Sequence, residues 1–141
     1  MLLRRARAEE RDAINEHYAS VDFKPSAADD LQLLAEAGKQ LAGLGRIVAI
    51  DARHAELGGI VVLPPFRGQG LARQLIAALC AHNRHAVLYC LPFAELAPLY
   101  ASVGFVELPD ASGVVAPVAQ KHLWCNAHYP KPVLLMRRSA P

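Results

Sequence analysis

The sequence predicts an α/β fold, because patterns typical of strands and of helices alternate through its second half. A chain of 141 residues, 53% hydrophobic and 20% charged, has the size and composition of a globular protein with a buried core. No repeat, low-complexity tract or linker divides it, so we expect one domain over residues 1–141. Its basic residues are scattered and its formal charge is only +2, which argues against nucleic-acid binding.

The first half of the chain predicts three strands and one helix. Residues 2–6 are a short strand, and residues 8–20 are a helix whose acidic residues fall in the first turn, where the helix dipole favours them. Residues 22–30 are a polar loop that contains a proline. Propensity favours a helix directly after this loop, but "AGK" is a tight-turn signal and the stretch ends in β-branched residues. We therefore expect a hairpin with strands over 31–36 and 40–50.

The second half predicts strands and helices in turn. The run "ELGGIVVL" is stopped by Pro64 and Pro65, so a strand is expected over 56–63. Apolar residues at helical spacing then predict a helix over 68–83. The remaining expected elements are a strand over 86–91, a helix over 94–104, a strand over 105–108, a partly helical stretch over 113–129 and a last strand over 131–136.

The turn "PPFRGQG" before the second helix has the properties of an anion site. The first N–H groups of a helix have no intrahelical acceptor, and the helix dipole makes that end partly positive. Gly68 and Gly70 carry no Cβ to keep a phosphate away from the backbone, and Arg67 adds a charged donor. A P-loop would need Lys and then Ser or Thr, and a dinucleotide loop would need glycine at Arg73, so neither motif is present.

Two segments resemble signatures of the GNAT superfamily of acyl-CoA N-acyltransferases. "VVLPPFRGQGLA" resembles its pyrophosphate loop, V-x-P-x-x-R/Q-G-x-G-x-A, and "APLYASVGFVEL" resembles its second signature, a helical tyrosine followed by Gly-Phe. The resemblance extends over residues 46–108. It implies a three-layer α/β domain with a mixed, mostly antiparallel sheet, splayed central parallel strands and flanking helices.

The same resemblance implies acetyl-CoA as the acyl donor and direct transfer of its acetyl group to an amine. The strand at Ile60–Val62 would bind the pantetheine arm through its backbone, and the N–H of residue 62 or 63 would bind the oxyanion. The residues implied to contact the cofactor are Ile60, Val61, Val62, Leu63, Arg67, Gly68, Gln69, Gly70, Leu71, Ala72 and Phe93.

Acid and base residues are also implied by position. Tyr100 stands where relatives often have the tyrosine that protonates the departing thiolate, although a helical tyrosine also serves to pack a core. Glu56 stands near the position of a general-base glutamate in some relatives, and it is equally readable as a solvated residue at a strand start. Relatives also use a water chain as the base. His54 and Glu95 are weaker candidates.

Two features leave other functions open. Phe93 replaces an asparagine that relatives often have, and it cannot donate an amide hydrogen bond, so a catalytically silent acyl-CoA-binding or regulatory module is an alternative. His122, Cys125 and His128 share a helix face in "HLWCNAH", but a structural zinc site needs four ligands, so we expect no metal.

The acceptor cannot be identified from the sequence beyond an amine. Asp22, Asp29 and Asp30 could attract a cationic amine, and they are equally typical of a solvated loop. Three cysteines without a disulfide spacing, no signal peptide and no long apolar run predict a cytoplasmic protein that has reduced thiols and no membrane segment. Dimerisation is common in the superfamily, so a homodimer is one assembly the resemblance implies.

Overall fold

The computed structural model describes residues 1–139, which contain seven strands, four α-helices and three short 3₁₀ helices. The strands are β1 Leu2–Arg5, β2 Leu31–Ala37, β3 Gln40–Ala49, β4 His54–Val62, β5 Val87–Cys90, β6 Val106–Glu107 and β7 Met136–Ser139. The α-helices are α1 Arg11–Ser20, α2 Leu71–His82, α3 Ala97–Ala101 and α4 Ala116–His128. The 3₁₀ helices are Ala8–Glu10, Pro64–Phe66 and Ala94–Leu96.

The strands hydrogen-bond in the order β1-β2-β3-β4-β5-β7-β6. β4 and β5 are parallel, whereas β1 with β2, β2 with β3, β5 with β7 and β6 with β7 are antiparallel. The predicted α/β fold with a mixed, mostly antiparallel sheet is therefore confirmed.

The chain divides into two compact units, and β4 contributes residues to both. The expectation of one domain over residues 1–141 stays a prediction. The first unit holds residues 1–48 and 59–82, with a core of Ile14, Tyr18, Leu34, Leu44 and Val61.

A hairpin of β2 and β3 organises this first unit, as its turn residues predict. The turn contains Gly38 at φ +64°, in the left-handed region that glycine adopts without strain. The helix propensity of the β2 residues is overridden because Leu33, Leu34 and Ala35 are all buried when they pair with β3.

The second unit holds residues 49–58 and the described residues from Asn83 onward. Tyr89, Val118 and Leu135 form its buried cluster and come from β5, α4 and the segment before β7. Cys80, Cys90 and Cys125 are buried and form no disulfide within residues 1–139. Among residues 1–139, none of the helices combines the length and the apolar character that a membrane span requires.

The last predicted strand, over 131–136, is wrong in its bounds. The ladder with β5 starts at Met136, paired with Cys90, and continues to Ser139. In the preceding segment Val133 forms only an isolated bridge with Phe93. Pro132 has no N–H to donate to a ladder, so a regular strand cannot include it without losing a hydrogen bond.

Candidate functional site

The glycine-rich turn links the end of β4 to α2 and is open on its outer side. Gly68 and Gly70 have φ values of +77° and +76°, a conformation that side chains with a Cβ rarely adopt. No heavy atom lies within 4 Å of the position that a Cβ would take at either glycine. The turn therefore needs glycine for its backbone shape, and it leaves free space beside that backbone.

Within residues 1–139, the start of α2 presents backbone N–H groups without an intrahelical acceptor. Gln74 donates its N–H to the Gly70 carbonyl at 3.2 Å, which closes the first helical turn. The N–H groups of Leu71 and Ala72 precede that bond and have no acceptor in the preceding turn. Together with the positive end of the helix dipole, they make this turn suitable for an anion.

Arg67 supplies the charged donor of the turn. Its side chain is folded back so that Nε donates to the Val62 carbonyl at 3.0 Å. This bond anchors the guanidinium beside the end of β4, and the other guanidinium nitrogens have no partner within residues 1–139. Arg67 is exposed, so those nitrogens are available to a phosphate.

Within residues 1–139, the parallel ladder with β5 involves only the first part of β4. That ladder ends where Leu57 pairs with Cys90, so the residues after Leu57 have no residue of β5 opposite them. The Leu63 N–H is already bonded to the Ala42 carbonyl at 2.9 Å. Of the two expected oxyanion donors, Leu63 is therefore occupied. Val62 remains the candidate, because successive residues of a strand point their N–H groups to opposite sides.

Tyr100 lies in α3 and is 5% exposed. Burial raises the pKa of its hydroxyl well above the ordinary value, and the nearby Cys90 and Glu56 raise this pKa further. The hydroxyl has no hydrogen-bond partner within residues 1–139. Its oxygen is nevertheless not completely buried, so a ligand or water can reach it. Tyr100 is therefore a protonated phenol whose hydrogen-bonding capacity is unused.

Glu56 is paired with a residue that sequence reasoning missed. Lys121 of α4 donates to Oε2 of Glu56 at 2.6 Å, and the Glu56 side chain is only 12% exposed. The solvated strand-start interpretation therefore does not describe this carboxylate. No sequence signal links the two residues, because 65 positions separate them.

The other candidates each have a structural partner. His54 bonds through Nδ1 to Asp51 at 2.8 Å, and this hydrogen bond lowers the pKa of Asp51. Glu95 forms an exposed ion pair with Lys131 at 2.8 Å. Phe93 packs edge-on against Tyr129, with 5.4 Å between ring centroids. None of these contacts tests the expected roles, which stay predictions.

The "HLWCNAH" residues are not gathered into a metal site. His122 contacts the Val133 carbonyl through Nε2 at 2.9 Å, and the His128 ring stacks on Trp124 at 4.3 Å. Cys125 is buried, whereas Trp124 is 42% exposed. Within residues 1–139, no group of three or more His, Cys, Asp or Glu residues is placed to hold a metal ion.

A buried arginine is the second residue that sequence reasoning missed. Arg46 lies inside β3, donates from Nη1 to the Ser26 hydroxyl at 2.8 Å, and places its guanidinium 4.3 Å from the centre of the Tyr18 ring. A signal was present, because a charged residue in the apolar strand "LAGLGRIVA" is rarely buried without a reason.

Comparison with known proteins gives a consistent result. The model of the "Acetyltransferase (GNAT) family" matches residues 2–105. Among curated protein sequences, none matches the chain significantly.

Solved structures match over nearly the whole chain. Rv2747 from Mycobacterium tuberculosis, in complex with CoA and NLQ, has a TM-score of 0.80 and 17% identity, over 100% of both chains. Spermidine N-acetyltransferase SpeG from Vibrio cholerae has a TM-score of 0.69 and 19% identity, over 99% of this chain and 95% of its own. N-acetylglutamate synthase from Neisseria gonorrhoeae, complexed with coenzyme A and N-acetyl-glutamate, has a TM-score of 0.72 and 13% identity, over 98% of this chain but 34% of its own. At these identities the likeness shows a common fold.

Proposed function

The chain belongs to the GNAT acetyltransferase family, and from this premise we propose that it transfers the acetyl group of acetyl-CoA directly to an amine. The observation that carries the proposal is the turn after β4. Two glycines with positive φ, the first N–H groups of α2 and the anchored Arg67 together provide donors for a pyrophosphate. The neighbours determined with CoA support this donor.

We propose that the unpaired half of β4 binds the pantetheine arm through its backbone. The N–H groups of Gly59–Val62 on the ladder side are not used by β5, whereas the Val62 carbonyl already accepts from Arg67. The Val62 N–H then stabilises the oxyanion that forms when an amine attacks the thioester carbonyl. Leu63 contributes by packing, since its N–H is engaged with Ala42.

Tyr100 is the proposed general acid. When the tetrahedral intermediate collapses, the C–S bond breaks and the phenol gives its proton to the departing thiolate. Burial keeps the hydroxyl protonated, and no protein acceptor within residues 1–139 competes for that proton.

Glu56 is the proposed base. Lys121 holds its Oε2, while Oε1 has no partner within residues 1–139 and can accept a proton from the attacking amine, directly or through water. Lys121 of α4 thus orients the carboxylate and leaves one of its two oxygens without a hydrogen bond.

The acceptor is proposed to be an amine because two of the structural neighbours are named for N-acetylation. One is a spermidine N-acetyltransferase, and another is complexed with N-acetyl-glutamate. Spermidine and the glutamate from which N-acetyl-glutamate derives both carry a primary amine, so these neighbours support acetyl transfer to an amine.

A thiol-release assay tests this proposal. Acetyl-CoA is incubated with the protein and a panel of polyamines, amino acids, aminoglycosides and peptide N-termini, and released CoA is measured with mass spectrometry of the product. We expect release with at least one class and one acetyl group on its amine. Binding of CoA without release for any amine would favour the catalytically silent module.

A further inference from the structure

Arg46 is a buried cation in the first unit without an ionic partner. It is 7% exposed and lies in β3, where it pairs in register with Gln32 of β2. No carboxylate within residues 1–139 lies within 4.0 Å of its guanidinium. A buried charge is costly unless an opposite charge or several hydrogen bonds compensate it.

The guanidinium uses only part of its hydrogen-bonding capacity. Nη1 donates to the Ser26 hydroxyl, and one face of the group lies over the Tyr18 ring. Its other nitrogens have no partner within residues 1–139. None of these nitrogens is completely buried. These nitrogens therefore keep unused N–H donors that are not fully sealed from the surface.

Neighbouring hydrogen bonds hold this cation in place. The Ser26 hydroxyl donates to Oε1 of Gln32 at 2.7 Å, and its backbone is bonded twice to the Asn15 side chain. The amide of Gln32 donates in turn to the Gly45 carbonyl at 2.9 Å. The donors of Arg46 are thus fixed before any ligand arrives, which lowers the entropic cost of binding.

Arg46 lies beside Gly59, which belongs to the half of β4 that we propose to bind pantetheine. A Cβ on Gly59 would lie 3.0 Å from Nε of Arg46 and 2.6 Å from the Tyr18 hydroxyl, and φ at Gly59 is +59°. The next residues along the chain are Ile60–Leu63, which we propose to contact pantetheine. Val62, the proposed oxyanion donor, is three residues further along β4, so a group bound by Arg46 would lie within about 10 Å of the reacting end of that arm.

We propose that Arg46 binds the carboxylate of the acceptor, so that the substrate is an amino acid rather than a polyamine. This inference rests on the proposed acetyltransferase function. A guanidinium fork matches the two oxygens of a carboxylate, and Ser26 orients the fork.

Calorimetry in the presence of CoA tests the carboxylate site without requiring turnover. The protein-building L-amino acids are titrated one at a time, each beside its own α-amide, into wild type, Arg46→Met, Arg46→Lys and the exposed control Arg84→Met. We expect at least one amino acid to bind wild type and the control, and its amide to bind more weakly by on the order of tenfold to a hundredfold. Arg46→Met should lose the preference for the acid, and Arg46→Lys should keep part of it.

The outcomes separate this inference from the proposed function. Binding of an amino acid that depends on Arg46, even without acetyl transfer, supports the carboxylate site while the enzymatic proposal fails. Equal affinity of wild type for an acid and its amide, or no binding of any amino acid, overturns the site. Unchanged acid binding by Arg46→Lys and by Arg46→Met with a native thermal transition also overturns it.

Discussion

Lys121 of α4 and Glu56 of β4 form a 2.6 Å ion pair that joins two elements 65 positions apart in the sequence. The pair occupies Oε2 of the carboxylate and leaves Oε1 without a partner within residues 1–139. The charge of Glu56 also acts on Tyr100, where it helps to raise the pKa of the phenol. The proposed base and acid thus belong to one electrostatic neighbourhood in the second unit.

Replacing Glu56 tests the base role. Glu56→Gln should lower kcat by on the order of a hundredfold or more, because the amide cannot accept the proton of the amine. Affinity for acetyl-CoA, measured by calorimetry, should change little. The matched control is Glu95→Gln, which removes the carboxylate of an exposed ion pair with Lys131 and should leave kcat unchanged. Equal kcat for Glu56→Gln and wild type would remove the base.

Tyr100→Phe tests the acid role. The substitution removes a hydroxyl that has no hydrogen-bond partner within residues 1–139, so the fold should be retained. We expect turnover to fall by on the order of a hundredfold while acetyl-CoA affinity is preserved. Tyr89→Phe, a change at another buried tyrosine, serves as the control. Full turnover of Tyr100→Phe would show that the tyrosine only packs.

Gly70 and Gly113 form a matched pair for the anion turn. Both have positive φ, +76° and +73°, and neither has a heavy atom within 4 Å of a Cβ position. Alanine at either place should cost about 1 to 2 kcal/mol of the free energy of unfolding through backbone strain. Only Gly70→Ala should also weaken CoA binding, because it obstructs the approach of the pyrophosphate. A similar loss of CoA affinity in Gly113→Ala would show that strain, not the turn, explains the effect.

The ion pair between Glu10 and Arg4 should make the free energy of unfolding decrease at acid pH. Arg4 donates to both carboxylate oxygens of Glu10, at 2.8 Å and 2.7 Å, and these bonds lower the pKa of Glu10 from 4.5 to about 2. The unfolded state binds the proton more readily. The stabilisation is therefore full above about pH 4.5 and is lost as the pH falls towards 2.

Urea unfolding of wild type and Glu10→Gln across that pH range measures this contribution. The stability difference between the two proteins should be largest near neutral pH and should shrink below pH 4.5. Glu9→Gln, at a largely exposed neighbour, should show no such pH dependence. A difference between wild type and Glu10→Gln that persists at the acid end would contradict the assignment.

Local patterns were sufficient to predict most of the fold. The β2–β3 hairpin followed from its turn signal despite the helix propensity of "LQLLAEA", and the end of β4 followed from two prolines. The bounds of the last strand were missed, because pairing with β5, not the apolar run itself, determines where β7 begins.

The site divides in the same way. The turn at Gly68 and Gly70 was predictable because its backbone demands glycine, a requirement visible in the sequence. Arg46 was overlooked although its charge stands out in the apolar strand β3. Lys121 was not found because no local pattern links it to Glu56, which lies 65 positions away in the sequence.

The most direct test of the central claim is a calorimetric titration of acetyl-CoA into wild type and Arg67→Glu, with Arg84→Glu as an exposed control. We expect stoichiometric binding by wild type and by the control. The affinity of Arg67→Glu should be reduced by on the order of tenfold or more, because a negative charge replaces the donor anchored on Val62. Equal affinity of Arg67→Glu and wild type, or no binding of acetyl-CoA by wild type, would contradict the central claim.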